Sequence, residues 1–415
     1  MTRIMKDSGV EWIGEIPENW DISNIGQLYS ERKEKVDDIN YSPLSVTMKG
    51  ILPQLATAAK SDNHENRKHV CINDFVINSR SDRKGSCGIS ELEGSVSLIN
   101  TVLIPHQNMS NTFYGWLFHS CMFSDEFYKW GHGIVDDLWT TKWQDMKKIQ
   151  IPLPPESEQD KIAAFLDEKC EAIDKIITKT EQSIEEYKKL KQSVITKAVT
   201  KGIRPHRPMQ DSNIEWIGEI PTDWNVRKIF QLFNQVKNKN IGMTENNLLS
   251  LSYGKIKKKN IETSFGLLPE SFETYNIIEK DDIVLRLTDL QNDHRSLRVG
   301  LCKERGIITS AYVTIRLKDK QYAPYLYYLL HTFDIKKGFY GMGDGVRQGL
   351  NWDELKHLSL VLPLFDEQKE IADYLDEKCA EIDTLIEKKQ QFLAEMANYR
   401  KSLIYEYVTG KKEVA

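Results

Sequence analysis

Apolar residues recur at seven-residue spacing along two long stretches of this chain. Leu166, Ile173, Thr180, Tyr187 and Val194 form one series, with Cys170, Ile177, Ile184 and Ala198 interleaved at the other seam position. The second stretch repeats the pattern with Leu375, Ile382, Met396 and Leu403 beside Cys379, Ile386, Leu393 and Tyr407. Each stretch starts just after a proline-marked stop, Ile151-Pro152-Leu153-Pro154-Pro155 or Val361-Leu362-Pro363, and contains no proline of its own. The pattern predicts two spacer helices, 156–202 and 366–415, with the heptad seams of a coiled coil. At a rise of about 1.5 Å per residue each is about 65 Å long, too long to hide inside one globule. The simplest closure is antiparallel, with Leu166, Cys170, Ile173, Ile177 and Ile184 on one seam and Leu375, Cys379, Ile382, Ile386 and Leu393 on the other. Lys191 and Arg400 occupy equivalent seam positions and Lys389 interrupts the second seam. These cations predict a seam that is partly open, or covered by another protein.

The rest of the chain reads differently. Short β-rich runs broken by polar and glycine turns predict strands at Phe75–Ile77, Val96–Ile104, Asp282–Leu285 and Ala311–Arg316. One helix per lobe is predicted, at Phe113–Met122 and Pro324–Thr332. Both lobes are therefore mixed α/β, of the α+β kind, with a strand order that the pattern does not fix.

The chain is an internal repeat, and that organises everything else. Asp7-Ser-Gly-Val-Glu-Trp12-Ile-Gly-Glu-Ile-Pro17-Glu-Asn-Trp20 returns at an offset of 204 as Asp211-Ser-Asn-Ile-Glu-Trp216-Ile-Gly-Glu-Ile-Pro221-Thr-Asp-Trp224. Glu158-Gln159, Ile162-Ala163 and Leu166-Asp167-Glu168-Lys169-Cys170 return at an offset of 209 as Glu367-Gln368, Ile371-Ala372 and Leu375-Asp376-Glu377-Lys378-Cys379. Between these anchors the halves diverge, although Phe113 and Leu117–Ser120 still match Tyr325 and Leu329–Thr332, and Gly131-His132-Gly133 parallels Gly341-Met342-Gly343. Four segments follow: a lobe over 1–155 with its joint at 7–20, a spacer helix over 156–202, a lobe over 203–365 with its joint at 211–224, and a spacer helix over 366–415. Near-identical joints around unlike lobes predict one scaffold with pseudo-two-fold symmetry that presents two different surfaces.

Composition narrows the class. At 415 residues, with 40% apolar and 28% charged residues, the chain is an ordinary globular protein of more than one domain. The N-terminus has no apolar core of a signal peptide and no run suits a membrane span, so a cytoplasmic protein without a membrane partner is expected. The six cysteines are then expected to be reduced. A formal net charge of −5 argues against nucleic acid, because Lys and Arg supply most of the affinity for phosphate. Region by region the objection weakens. Residues 225–365 hold 21 Lys and Arg against 15 Asp and Glu, whereas 21–155 hold 14 against 16, and the remaining acidity lies on the helices and joints. Bunched basic residues fall in predicted loops: Arg67, Lys68, Arg80, Arg83 and Lys84 in the first lobe, and Lys255, Lys257, Lys258, Lys259, Arg286, Arg295 and Arg298 in the second. Arginine suits bidentate contact with guanine and lysine suits phosphate.

Several other signals reduce to packing or turns. His64, His69, Cys71 and Cys87 lack the tight pairing of a structural zinc site, so no metal is expected. Cys170 and Cys379 suit a seam that needs a small apolar residue. Gly341-Met-Gly-Asp-Gly345 lacks the ending of a nucleotide-binding loop. Asp21, Glu31 and Lys33 have no nuclease-like counterparts at Asn225, Gln235 and Lys237. No Asn-Pro-Pro-Tyr or Asp-Pro-Pro-Tyr methyltransferase motif occurs, which disfavours a single-chain restriction-modification enzyme. A coiled-coil scaffold without DNA readout is the other alternative.

The paired Trp-Ile-Gly-Glu-Ile-Pro-x-x-Trp joints, the Pro-Leu-Pro-Pro-x-x-Glu-Gln-x-x-Ile-Ala-x-x-Leu-Asp stretch at 152–167 and its variant at 363–376 together resemble the specificity (S) subunits of type I restriction-modification systems. The resemblance spans the whole chain and includes the duplication. It implies two target recognition domains, each reading half of an asymmetric bipartite site in double-stranded DNA, separated by the two long antiparallel helices. It also implies a non-catalytic subunit that directs adenine methylation and ATP-dependent cleavage by two methylation (M) and two restriction (R) subunits. Those partners would use S-adenosylmethionine, ATP and Mg, and this chain would bind no cofactor. The expected DNA contacts are Lys68, Arg80, Arg83 and Lys84 in the first lobe, and Lys255, Lys257, Lys258, Arg286, Arg295, Arg298 and Arg347 in the second. The second lobe-to-helix joint departs from the first, with Leu364-Phe365 in place of Pro155-Glu156.

Overall fold

A computed structural model describes residues 3–55, 64–107, 109–133, 139–259, 271–293, 296–319, 321–342 and 349–414. The chain divides into two compact units, Met1–Glu181 with Gln390–Ala415, and Gln182–Lys389. Each unit therefore holds one lobe, the first part of the long helix that follows it, and the last part of the other long helix.

In the first unit a four-stranded antiparallel sheet runs in the order Cys87–Ile89, Phe75–Asn78, Asn100–Pro105, Tyr29–Glu31. The second unit builds the same sheet as Val299–Leu301, Ile283–Leu285, Val313–Leu317, Phe233–Gln235. The run Val96–Ile104 is thus two strands, Gly94–Val96 and Asn100–Pro105, belonging to different sheets. Asn100 makes the bend between them, its backbone and side-chain nitrogens both donating to the Ser97 carbonyl. The predicted Phe113–Met122 helix is likewise two, Asn111–His119 and Cys121–Lys129. Ser120 lies extended between them, and its hydroxyl accepts from the Phe123 amide to cap the second helix. Its counterpart in the second unit is one uninterrupted helix, Ala323–Ile335, with Pro324 in the first turn.

The long helices span Glu156–Lys201 and Phe365–Val408. Both stop at a glycine in the left-handed region, Gly202 (φ 77°) and Gly410 (φ 72°). The second helix therefore does not run to residue 415. In the first unit Lys411 instead turns back to donate to the carbonyl of Ile13 at 2.6 Å. No helix among the described residues is long and apolar enough to cross a membrane.

Each lobe shares its core with its helix segments. Trp12, Trp20, Phe75, Phe113, Phe118 and Phe123 pack with Ile162, Leu166, Cys170 and Ile173, and with Leu403, Ile404 and Val408. In the second unit Trp224, Ile283, Leu285 and Tyr325 pack with Ile195, Ala198 and Val199, and with Ile371, Ala372 and Leu375. Burial of each large side chain stabilises by roughly 1.5–3 kcal/mol, so lobe and helices fold as one body within each unit.

Candidate nucleic-acid interface

The repeated motifs form the joint that fixes each lobe to its helix. In the first unit the Trp20 indole donates to Glu158 at 2.8 Å, and Arg3 pairs with Glu158 at 2.5 Å. In the second, the Trp224 indole donates to Glu367 at 3.2 Å and Arg207 pairs with the same carboxylate. The adjacent glutamine spans the helix start: Gln159 accepts from the Ser110 amide and donates to the Pro154 carbonyl, and Gln368 accepts from the Tyr322 amide and donates to the Pro363 carbonyl. Trp20 meets Phe113 edge-on at 6.4 Å, and Trp224 meets Tyr325 edge-on at 6.4 Å. The Glu-Gln pair thus satisfies buried polar groups where strand turns into helix, which is why the motif occurs twice. The change to Leu364-Phe365 leaves these bonds intact.

The helices pack antiparallel within each unit. Arg400 pairs with Asp174 at 3.1 Å in the first, and Lys191 pairs with Asp383 at 2.7 Å in the second. The two pairs are sequence equivalents, related by the same offset of 209 as the Glu-Gln motif. Arg400 also lies 5.7 Å over the Trp116 ring, and Lys389 lies 5.6 Å over Tyr187. The cations expected to open the seam instead close it, each held by a carboxylate or ring that faces it. Leu166, Cys170, Ile173, Ile184, Leu375, Cys379 and Ile382 are buried, while Ile177, Ile386 and Leu393 are only half-buried. The seam is therefore thickest next to the lobes. Burial pushes the Cys170 thiol up to about 11, as a packing role requires.

A second duplicated cluster sits where each lobe meets its helix pair, and reading by residue type missed it. Trp116 donates to Asp167 at 2.7 Å in the first unit, and Tyr328 donates to Asp376 at 2.6 Å in the second. One helical turn on from these rings stand His119 and His331. Only the weak outline at offset 212 pointed there. Burial, with Lys191 nearby, lowers the His331 pKa to about 4, so the imidazole is neutral in the folded unit. An unfolded chain protonates it near pH 6.5. The unfolded state therefore binds more protons between about pH 6.5 and 4, and stability falls as pH drops through that window. After allowance for partial exposure the loss is about 1–2 kcal/mol. His331→Gln is expected to flatten this slope in urea titrations at pH 7.5 and 5; an unchanged slope would assign it to other groups.

The basic residues fall into distinct settings. Arg80 caps the short turn Ser81–Arg83, Arg83 is 68% exposed, and both lie beside Asp82. Lys84 is half-exposed and pairs with Asp125. Arg83 and Lys84 line an open cleft of about 620 Å³ with Ser45, Thr47, Asn78, Asp82 and Ser86. The cleft thus combines two cations with the amide of Asn78, whose oxygen accepts from the Arg80 amide, and the carboxylate of Asp82, polar groups that a search for cations overlooks. Lys68 is mostly buried and pairs with Glu31 at 3.5 Å. In the second unit Lys255, Lys257 and Lys258 lie on the exposed strand Lys255–Lys258, which forms a hairpin with Leu249–Ser252. Lys258 pairs with Glu304 at 2.8 Å, and Arg286 approaches Asp293 at 3.8 Å. Arg295 and Arg347 lie outside the described residues.

Arg298 overturns its expected role. It is fully buried, donates to the carbonyls of Arg286, Thr288, Asp289 and Asp293, and stacks on Tyr340 at 5.1 Å. It therefore braces the 286–293 loop from inside and is not available to DNA. No pattern of residues signals this, because a buried arginine is defined by carbonyls that only the fold assembles. The rejected zinc set is not assembled as a four: Cys87 is buried in the core, its thiol pushed up to about 12, and His64 pairs with Asp38 at 2.9 Å.

A mixed α/β lobe and its helix are thus present twice, with matching joints and unlike basic loops. Residues 221–394 match the family model of the type I restriction modification DNA specificity domain. The chain is 26% identical over 96% of its length to the type I restriction enzyme MjaVIII specificity subunit of Methanocaldococcus jannaschii, covering 94% of that protein. It is 24% identical over 97% of its length to the MjaX specificity subunit of the same organism, covering 96% of it. Its fold matches a chain from a structure of type I R-M complex assembly and conformational transition (TM-score 0.69, 15% identity, 96% of this chain and 99% of that one). It also matches the HsdS subunit from Thermoanaerobacter tengcongensis (TM-score 0.52, 15% identity, 96% and 98%). The chain is thus similar in sequence to type I specificity subunits along nearly its whole length and shares its fold with a solved HsdS subunit, as the duplicated motifs led us to expect.

Proposed function

We propose that this chain is the non-catalytic DNA-recognition subunit of a type I restriction-modification complex, in which each lobe reads one half of an asymmetric bipartite site. The observation that carries this reading is the contrast between duplicate joints and unlike lobes. Trp20–Glu158 and Trp224–Glu367 are the same device, whereas the first lobe offers a polar cleft and the second an exposed lysine hairpin. Phosphate contacts would set register and base-edge contacts identity.

Two copies of one methylation subunit are the partners the helices suit. Ile176 and Leu385 are exposed and sequence-equivalent, as are Leu190 and Tyr399. An apolar side chain left in water at the same place in both copies gives two identical partners the same foothold. Adenine methylation, with S-adenosylmethionine, and ATP- and Mg-dependent cleavage would belong to the methylation and restriction partners. Flipping the adenine from the stack would be the methylation subunits' task.

The test is salt-dependent binding of the assembled complex to duplex DNA. Replacing Lys255, Lys257 and Lys258 by alanine removes up to three phosphate contacts. That should make the log–log salt slope shallower by about 2–3 and weaken binding about ten- to hundredfold near physiological salt. Lys179→Ala, on the exposed face of the first long helix, should leave the slope unchanged. If the triple variant binds with the wild-type slope, the second lobe does not meet the DNA backbone through this hairpin.

A further inference from the structure

The first unit contains a cluster of metal-ligating side chains outside the cleft that Arg83 and Lys84 line. His69 and Cys71 stand two residues apart on one face of the strand Arg67–Val70 and its extension, and the register Val70↔Gly94, His69↔Ser95 carries Glu93 to the position opposite Cys71. One ligand atom from each of His69, Cys71 and Glu93 lies within 4.8 Å of the others. The Cys71 sulfur is 3.8 Å from His69 Nε2, and Nε2 is 3.2 Å from a Glu93 oxygen. On the other side of the ring, His69 Nδ1 is 2.9 Å from Glu34, whose carbonyl also accepts from the His69 amide.

Tetrahedral bonds of about 2.0–2.3 Å to nitrogen, oxygen and sulfur place ligand atoms about 3.3–3.6 Å apart, close to the 3.8 and 3.2 Å that separate His69 Nε2 from the Cys71 sulfur and the Glu93 oxygen. Thiolate, imidazole and carboxylate are the donors that zinc-class ions take, and an imidazole whose far N–H is held by a carboxylate is the usual support for such a ligand. The duplicated scaffold supplies an internal comparison. The register Ile278↔Gly306 places Glu279 and Arg305 where the first unit has Cys71 and Glu93. There the Arg305 guanidinium bonds Glu279 at 2.9 Å and Glu245 at 3.0 Å. The second unit thus fills this corner with a fixed cation between two carboxylates. The first unit has two carboxylates, a thiol and an imidazole, with Glu93 in the arginine's slot; the neighbouring Arg32 is held by both oxygens of Asp74 and approaches Glu34 only at 4.0 Å.

We propose that the first unit binds one divalent transition-metal ion of the zinc class through His69 Nε2, Cys71 Sγ and the Glu93 carboxylate, with Glu34 orienting the imidazole and solvent completing the shell. The ion does for the strands Lys35–Val36, Arg67–Val70 and Gly94–Val96 what Arg305 does for their counterparts. It ties the edge of the sheet without entering the DNA-reading cleft.

The test is a cobalt titration of the full-length chain after removal of metals by chelation. One equivalent of Co²⁺ should raise a thiolate-to-cobalt charge-transfer absorbance, and Zn²⁺ should abolish it by displacement. Cys71→Ser should lose the band, and Cys121→Ser, which removes the exposed thiol, should keep it. Glu93→Gln, at an exposed carboxylate that packing does not need, should weaken Co²⁺ at least tenfold, and Glu34→Gln about ten- to hundredfold. Absence of a one-equivalent band in the wild-type chain would overturn the proposal and leave His69 bridging two carboxylates as a purely structural contact. A band that survives in Cys71→Ser, or wild-type affinity in Glu93→Gln, would overturn it equally.

Discussion

Glu367→Ala is expected to lower the unfolding free energy of the second unit by about 3 kcal/mol, the low end of the cost of breaking a buried ion pair from one side, because Arg207 keeps its more exposed partner Asp223. The Glu367 side chain is 4% exposed and accepts from both Arg207 and the Trp224 indole. Truncation leaves a mostly buried guanidinium and an indole N–H without that partner, in the core that holds the lobe to its helix. A domain's whole stability is only about 5–15 kcal/mol, so the lobe should detach at modest urea concentration. Glu370, one turn further on, pairs with Arg204 in solvent, and Glu370→Ala should cost no more than about 1 kcal/mol. Equal urea midpoints for the two variants would show that the joint is not where the second unit is held together.

Exchange of residues 21–150 for the corresponding lobe of a relative should change one half of the recognised sequence and leave the other as it was. The physical basis lies in what the exchange keeps. Trp12 and Trp20, Glu158 and Gln159, and the helix residues Leu166, Cys170 and Ile173 all stay, so the incoming lobe meets its native socket. What changes is the cleft of Asn78, Asp82, Arg83 and Lys84, together with the hairpin strands Leu44–Thr47 and Gly50–Pro53 beside it. The second lobe keeps its own core, sheet and lysine hairpin. A base-reading bidentate contact is worth about 1–3 kcal/mol of discrimination, so a new cleft redirects specificity by orders of magnitude at its own half-site.

The legible parts of this protein were those written in period or in repetition. Heptad spacing located both long helices, and the returning Trp and Glu-Gln motifs located both joints, because each records a packing need that recurs at a fixed interval. Strand order was not legible, since the pairing of Phe75–Asn78 with both Cys87–Ile89 and Asn100–Pro105 depends on contacts remote in sequence. The break at Ser120 was hidden because the run Phe113–Met122 is apolar on either side of a residue whose capping role only its backbone reveals. Charge was the least reliable guide. Arg298, Arg83 and Arg305 are the same residue type, yet one braces a loop, one faces a cleft and one neutralises two carboxylates. Conversely, His69, Cys71 and Glu93 share no spacing rule, and a strand register brings them together.

Independent reading of DNA by two unlike lobes on a common scaffold can be observed in cells whose complex carries the exchanged 21–150 lobe, by genome-wide mapping of methyladenine. A new methylated motif should emerge in which one half-site is replaced while the other is retained letter for letter. A motif altered in both halves, or one that does not change at all, would show that the lobes are not separate readers.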